Sequence, residues 1–203
     1  MKETYSRTKT VWQRMNEEER KATMAYGEDY KEFLDIARTE RLAVTEIVKQ
    51  AEAAGFIPLY DCKELKAGDK VYWNQKGKSV VMAVIGEKPV HDGIKIVGSH
   101  LDTPRLDLKG NPVRESDGIV YFRTHYYGGI KKYQWAATPL ALHGVVFLKD
   151  GEKISLSIGE RDDEPVFSVP DILPHLSYNV QDERKARDVI KGEELKLLFG
   201  NMP

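Results

Sequence analysis

The chain has 203 residues, enough for one large domain or two small ones, and 41% of them are hydrophobic, so it can bury a core. Its 31 basic and 32 acidic residues give a net charge of −1, which argues against nucleic acid or an anionic membrane as the partner. The single cysteine, Cys62, excludes an internal disulfide and is expected to be a free structural thiol. A polar N-terminal sequence and the lack of any apolar run of about 18 residues predict a cytoplasmic protein without a transmembrane helix.

Residues 1–55 have the pattern of helices. Asn16 precedes three glutamates, an arrangement typical of an N-cap followed by an acidic first turn. Thr39 can cap a further helix, and Gly55 stands where a helix C-terminus favours positive φ. Between them runs one apolar stripe, formed by Val44, Ile47, Val48 and Ala51.

After residue 55 the apolar pattern changes to that of strands. Residues 70–73 and 79–85 flank a short segment with a glycine, which predicts a β-hairpin. Residues 94–97 form a nearly continuous apolar run between two glycines, which predicts a buried strand of an α/β sheet. Residues 99–102 would then follow its carboxyl end, where open α/β sheets bind ligands.

The second half of the sequence is predicted to be mainly β. Residues 118–123 are strand-like, and residues 145–148 and 153–158 flank an Asp-Gly pair that signals a hairpin. A final helix is predicted over residues 193–199.

This change of character near Asp107 suggests a domain boundary. We expect one domain over residues 1–106 and a β-rich domain over residues 107–203. The predicted fold class is α/β, or α+β overall.

A histidine and an aspartate stand two positions apart directly after the predicted strand of residues 94–97. In an extended segment, residues i and i+2 point to the same side, so His100 and Asp102 are expected to share a face. A metal-binding histidine usually donates its other ring N–H to a carboxylate, which fixes its tautomer. The pattern therefore makes His100 a candidate metal ligand and Asp102 the carboxylate that orients it. A surface pair without function is the alternative.

The other chemically notable segments favour structural interpretations. Residues 160–164 are acidic and are expected to form a solvated loop rather than a ligand set. Residues 125–129 end in paired glycines, which permit a tight bend or a close backbone approach but make a poor phosphate-binding loop. The neighbouring aromatic residues, Tyr126, Tyr127, Tyr133 and Trp135, are expected in the core or at an interface.

Three segments, in this order along the chain, resemble the metallo-aminopeptidase family of aspartyl aminopeptidase and vacuolar aminopeptidase I. They are VGSHLDTPRLDLK (97–109), HYYGGIKKYQW (125–135) and PVFSVPDILPHL (165–176). The resemblance runs from about Thr39 to the C-terminus and so covers most of the chain. It implies an α/β zinc-peptidase domain, with a β-rich dimerisation domain inserted soon after the His-x-Asp motif.

The resemblance also implies chemistry. His100 would be the first zinc ligand and Asp102 the acid that orients it, in an enzyme that removes single N-terminal residues from peptides. His175 is the candidate for the histidine that, in this family, reaches the active site of a neighbouring subunit; a partly buried structural histidine is the alternative. The family forms large tetrahedral oligomers, so a homo-oligomer through the β-rich domain is expected. Its complete site holds two zinc ions, although manganese or cobalt would also suit these ligands.

The remaining ligands and the catalytic glutamate follow the inserted domain in family members, and none maps onto a residue here. The chain therefore resembles the N-terminal portion of the family, with an incomplete dimerisation domain and no activity expected alone. A non-catalytic oligomerisation module and one half of a split peptidase are the alternatives. A nucleic-acid-binding module is disfavoured, because the basic Lys131-Lys132 patch is short and the net charge is near zero.

Overall fold

The protein is described by a computed structural model over residues 9–200. The chain divides into two compact units, with the division between Leu101 and Asp102. Helices dominate the start of the first unit and strands dominate the second, so the mixed α/β, α+β overall, fold class is confirmed. Within residues 9–200 no helix is both long enough and apolar enough to cross a bilayer.

Three helices open the first unit: α1 (Val11–Arg14), α2 (Glu17–Ile36) and α3 (Glu40–Ala53). Both predicted caps are confirmed. The Asn16 side chain accepts a hydrogen bond from the backbone N–H of Glu19, and the Thr39 side chain accepts one from Leu42. Gly55 follows α3 with φ of +86°, a conformation that favours glycine.

The two long helices differ in how they are buried. Helix α3 buries Val44 and Ala51 of the predicted stripe, whereas Ile47 and Val48 are half-buried. Helix α2 contains no buried residue. Most helical stability in proteins comes from a buried apolar face, so α3 is the helix that anchors this unit.

A three-stranded sheet follows in the first unit, formed by β1 (Ile57–Pro58), β2 (Lys70–Gln75) and β3 (Ser79–Val84). Strand β1 pairs parallel to β2, and β2 pairs antiparallel to β3. The predicted hairpin is therefore confirmed. Lys76 and Gly77 both have positive φ in the three-residue turn between Gln75 and Ser79, and the Asn74 side chain accepts the Gly77 N–H.

The predicted buried strand over residues 94–97 is wrong. These residues have no regular secondary structure, and the exposed fractions of Ile94, Ile96 and Val97 are 63%, 78% and 99%. An apolar run becomes a buried strand only where neighbouring strands take up its backbone N–H and C=O groups. Among residues 9–200 no strand pairs with this segment.

The second unit contains two antiparallel sheets. The first has the order β4-β5-β8, with strands β4 (Arg105–Ser116), β5 (Ile119–Tyr127) and β8 (Lys196–Gly200). The second is the predicted hairpin of β6 (Leu142–Phe147) and β7 (Lys153–Ile158). The strand predicted at residues 118–123 is confirmed as part of β5.

The predicted final helix over residues 193–199 is wrong. A short 3₁₀ turn over Gly192–Glu194 leads directly into β8, which pairs antiparallel with β5. Leu195 and Leu197 are 1% and 5% exposed, whereas the intervening Lys196 is exposed, which is the period-two pattern of a strand. Pairing with an available strand edge and burial of alternate leucines outweigh the local helix propensity.

The core of the second unit lies on one face of the β4-β5-β8 sheet. Phe122 of β5 packs there against Phe167, with ring centroids 6.0 Å apart. The other buried members of the cluster are Val169, Ile190, Leu195 and Leu197. The opposite face of this sheet therefore points away from the unit's own core.

Candidate active-site segment

The segment with the His-x-Asp motif lies where the two units meet in the sequence. His100 ends a stretch, residues 91–100, in which every residue is exposed. Asp102 and Thr103 begin the second unit and are half-buried. Since residues 94–97 form no strand, the expected position of the motif beyond a strand end is not found.

Asp102 is held by a residue of the second resembling motif. The hydroxyl of Tyr127, at the end of β5, donates a hydrogen bond of 2.8 Å to the Asp102 carboxylate. The Arg105 guanidinium lies over the Tyr127 ring, 4.1 Å from its centroid, which is within the range of a cation–π contact. Arg105 also donates to the Asp107 carboxylate at 2.7 Å and to the Thr103 carbonyl at 3.2 Å. This network fixes the backbone and the carboxylate on the C-terminal side of the motif.

The first of the paired glycines in the second motif lies next to Pro104 of the first motif. Gly128 has φ of +83°, and a Cβ placed on it would lie 3.5 Å from the Pro104 Cα. The positive φ fits the bend that the sequence allowed here, whereas a side chain would meet Pro104 only at ordinary van der Waals distance. The first and second motifs thus converge through Tyr127–Asp102 and Gly128–Pro104.

The aromatic residues of the second motif divide into two groups. Tyr126 and Trp135 pack against the core of the second unit, as expected. Tyr127 and Tyr133 are 39% and 41% exposed, so they present their rings at the surface. Among these four, only Tyr127 has its hydroxyl on a carboxylate of the His-x-Asp motif.

His143 and His175 lie outside this segment of the sequence. His175 is exposed on a short helix, α4 (Pro174–Ser177), rather than partly buried. His143 of β6 is 15% exposed and its Nε2 lies 2.6 Å from a carboxylate oxygen of Glu160. No local pattern in the sequence marks His143, because its partner comes from the loop after β7.

The acidic segment 160–164 forms a turn that is held by its own hydrogen bonds and an ion pair. The Glu164 carboxylate accepts the backbone N–H groups of Gly159 and Glu160 at 2.8 and 3.0 Å, and it pairs with Arg161 at 2.8 Å. These contacts are those of a capped loop, in agreement with the structural interpretation of this segment.

The described residues do not provide a complete metal site. Across residues 9–200 no three histidine, cysteine, aspartate or glutamate side chains lie close enough together to hold a metal ion. A catalytic zinc needs about three protein ligands and a water. The donors of this part of the chain therefore do not fit a complete zinc site, and His100 could supply only one ligand of such a site.

Comparison with known proteins places this arrangement among metallopeptidases. A family model described as Aminopeptidase I zinc metalloprotease (M18) matches residues 33–202. A probable M18 family aminopeptidase 1 from Clostridium acetobutylicum is 46% identical over 199 residues, and its counterpart from Borreliella burgdorferi is 44% identical over 192 residues. These alignments cover 96% and 95% of this chain but 43% and 42% of those relatives.

A solved structure gives the same result. The crystal structure of an M18 family aminopeptidase from Thermotoga maritima matches with a TM-score of 0.86 at 40% identity, over 98% of this chain and 43% of that one. The family match, the identities and the shared fold agree, so the chain belongs to the M18 family of aminopeptidases. The resemblance inferred from the three motifs is confirmed. The chain spans less than half the length of the curated relatives it matches.

Proposed function

We propose that this chain forms part of a cytoplasmic, metal-dependent aminopeptidase that removes N-terminal residues from peptides. The observation that carries the proposal is the hydrogen bond from Tyr127 to Asp102, which joins two of the three family motifs at one place. Membership of a family described as zinc metalloproteases supports the reaction class.

In this proposal His100 is a zinc ligand and Asp102 is the carboxylate that orients it. The complete site would hold two zinc ions, and manganese or cobalt would also suit histidine and carboxylate donors. Metal ions bound there would supply Lewis-acid chemistry to peptide hydrolysis. The part played by this chain is to hold Asp102 through Tyr127, and so to restrict the orientation of the ligand beside it.

We further propose that His175 acts in the active site of a neighbouring subunit, within a homo-oligomer formed through the β-rich unit. The exposure of His175 on a short helix supports this role. Large apolar side chains around it are also exposed: Leu173 at 66%, Leu176 at 64% and Tyr178 at 71%. Exposed apolar groups of this kind mark surfaces that are covered by a partner.

The remaining ligands and the catalytic glutamate would come from polypeptide other than residues 9–200. The lack of a three-donor group in that range supports an incomplete site. It favours equally a split peptidase, in which a second polypeptide supplies the other donors, and a non-catalytic oligomerisation module. Complementation distinguishes these alternatives.

The test mixes the purified chain with a polypeptide covering the rest of the Thermotoga maritima relative, and follows hydrolysis of an aminoacyl-nitroanilide with zinc, manganese or cobalt. We expect no turnover by the chain alone, and chelator-sensitive turnover by the mixture. The His100→Ala variant should abolish turnover by the mixture, and the matched His91→Ala variant, which changes an exposed histidine of a turn, should not.

Three outcomes would count against the proposal. Turnover by the chain alone would show that the machinery is more complete than proposed. Turnover by the mixture that survives His100→Ala would remove His100 from the site. A folded mixture without turnover would favour the non-catalytic module.

A further inference from the structure

The face of the β4-β5-β8 sheet that points away from the core carries a cluster of positive charge. The cluster consists of four side chains, which we call the basic face: Lys109, Arg114, Arg123 and Lys196. They stand on all three strands, and side chains on one face of a sheet lie within reach of one another.

The strand register places two of these cations directly opposite one another. Arg123 of β5 pairs with Lys196 of β8, and Arg114 of β4 pairs with Tyr121 one row further along. Like charges directly opposite in a sheet are destabilising. An anionic ligand between Arg123 and Lys196 would relieve this repulsion.

Arg123 is also incompletely satisfied. Its Nη2 donates to the Asn111 carbonyl at 3.2 Å, but its Nε is buried without a hydrogen-bond partner in residues 9–200. A buried donor without a partner costs about 1–3 kcal/mol in general, so such groups call for an explanation.

The carboxylates nearby do not neutralise the cluster. Glu193 is bonded to Lys109 at 2.8 and 2.9 Å, and this contact lowers the pKa of Glu193, so that carboxylate is already engaged. Within the described chain, Arg114, Arg123 and Lys196 form no ion pair. Arg114 and Lys196 are therefore exposed without a fixed counter-charge, whereas half-buried Arg123 also interacts with the Glu193 carboxylate.

The surroundings of these cations are apolar and aromatic. The Lys196 ammonium lies over the Tyr121 ring, 4.8 Å from its centroid, and covers one side of it. Ile119 and Leu198 on the same face are 46% and 37% exposed. A ring covered in this way does not offer an open platform for base stacking, whereas exposed apolar side chains beside cations suit a protein segment.

We propose that the basic face binds an acidic segment of a partner polypeptide, with carboxylates on Arg114, Arg123 and Lys196 and apolar side chains on Ile119 and Leu198. Charge complementarity with these cations selects a carboxylate-bearing ligand. This interaction is separate from the proposed peptidase chemistry, because it uses no residue of the His-x-Asp motif.

The test measures fluorescence anisotropy of a labelled peptide of alternating glutamate and leucine, titrated with the full chain at low and high salt. We expect saturable binding that weakens with salt, because exposed charge pairs are screened. The Lys196→Glu variant should weaken binding at least about tenfold, since a repulsive charge then faces the ligand. The control Lys153→Glu makes the same change at an exposed position of strand β7 and should leave binding unchanged.

The same variant separates binding from folding. In Lys196→Glu the new carboxylate stands opposite Arg123, so its thermal midpoint should be no lower than that of the original chain. A lower midpoint would mean that Lys196→Glu loses binding because it is less well folded. Arg114→Gln would then replace it as the test of binding. Unchanged peptide binding by Arg114→Gln would overturn the proposal.

Three further outcomes would overturn it. They are no peptide binding by the original chain, equal weakening by Lys153→Glu, and tighter binding of an oligouridylate of matched charge. A change of oligomeric state in Lys196→Glu, measured by sedimentation, would assign the face to a second copy of this chain and also contradict the proposal.

Discussion

At the scale of single residues, the clearest contact of the site is the hydrogen bond that the Tyr127 hydroxyl donates to the Asp102 carboxylate. The two residues are 25 positions apart in the sequence. Asp102 could be identified from the sequence alone, because it stands two positions after His100 and residues at that spacing share a face in an extended segment. Tyr127 could be placed only among core or interface aromatics, because its partner depends on how β4 pairs with β5. The signal that could have found it is the register Arg105↔Tyr127, which brings the end of β5 beside the motif.

Removing the Tyr127 hydroxyl tests this contact. We expect Tyr127→Phe to lower the free energy of unfolding by about 1 kcal/mol, the usual net value of one hydrogen bond. In the complemented enzyme it should also lower kcat/KM about tenfold, because Asp102 becomes less well oriented. Denaturant unfolding and the nitroanilide assay check these values.

The matched control is Tyr133→Phe, which removes a hydroxyl from a tyrosine of nearly equal exposure, 41% against 39%. Equal effects of the two substitutions on kcat/KM would contradict a specific role for Tyr127.

A second residue-scale prediction concerns pH. The buried Tyr72 hydroxyl donates to Glu52 at 2.7 Å, and this hydrogen bond, with burial, raises the pKa of Tyr72 from 10.0 to about 12. Because the pKa is raised in the folded state, the stabilising contribution is complete below pH 10 and is lost as the pH rises through about 12. A tyrosinate absorbance titration should therefore lose its highest-pH transition in Tyr72→Phe.

Thermal unfolding provides the companion measurement. The difference in stability between the original chain and Tyr72→Phe should be about 1–2 kcal/mol near neutral pH and should shrink above pH 10. A difference that grows with pH would reverse the sign of the proposed linkage.

At the scale of elements, the sequence was most reliable where one local signal decides the outcome. The caps at Asn16 and Thr39 and the hairpin around Gly77 depend on a few neighbouring residues, and all three are confirmed. It failed for residues 94–97 and 193–199. There the outcome depends on whether a distant strand is present to pair, which a local pattern does not encode.

The strand at the end of the chain gives a test of this reasoning. Leu197 of β8 is 5% exposed on the core face, whereas its neighbour Leu198 is 37% exposed on the opposite face. We expect Leu197→Ala to lower the free energy of unfolding by about 3 kcal/mol, because it leaves a cavity in the core.

The adjacent substitution Leu198→Ala should cost less than about 1 kcal/mol, since little apolar area is lost. Urea unfolding of both variants measures the two values. Similar costs for these adjacent leucines would contradict the alternating burial of a strand.

At the scale of the whole molecule, the exposed apolar run at residues 94–97 is the feature that we expect to drive self-association. Large apolar side chains without a covering layer favour association, and an unpaired extended backbone offers hydrogen-bonding groups to another chain. Val97, at 99% exposed, loses no contact with water on folding. We therefore expect this segment to promote association without contributing to the stability of the chain.

We accordingly expect the average mass of the purified chain to grow with concentration, as measured by sedimentation or light scattering. The Ile96→Lys variant should reduce this growth, because a charge interrupts the apolar run. Val90→Lys introduces the same charge at a turn residue of similar exposure, 76% against 78%, and should change the growth little. Equal effects of the two variants would show that net charge alone controls association, and growth unaffected by Ile96→Lys would place the associating surface elsewhere on the molecule.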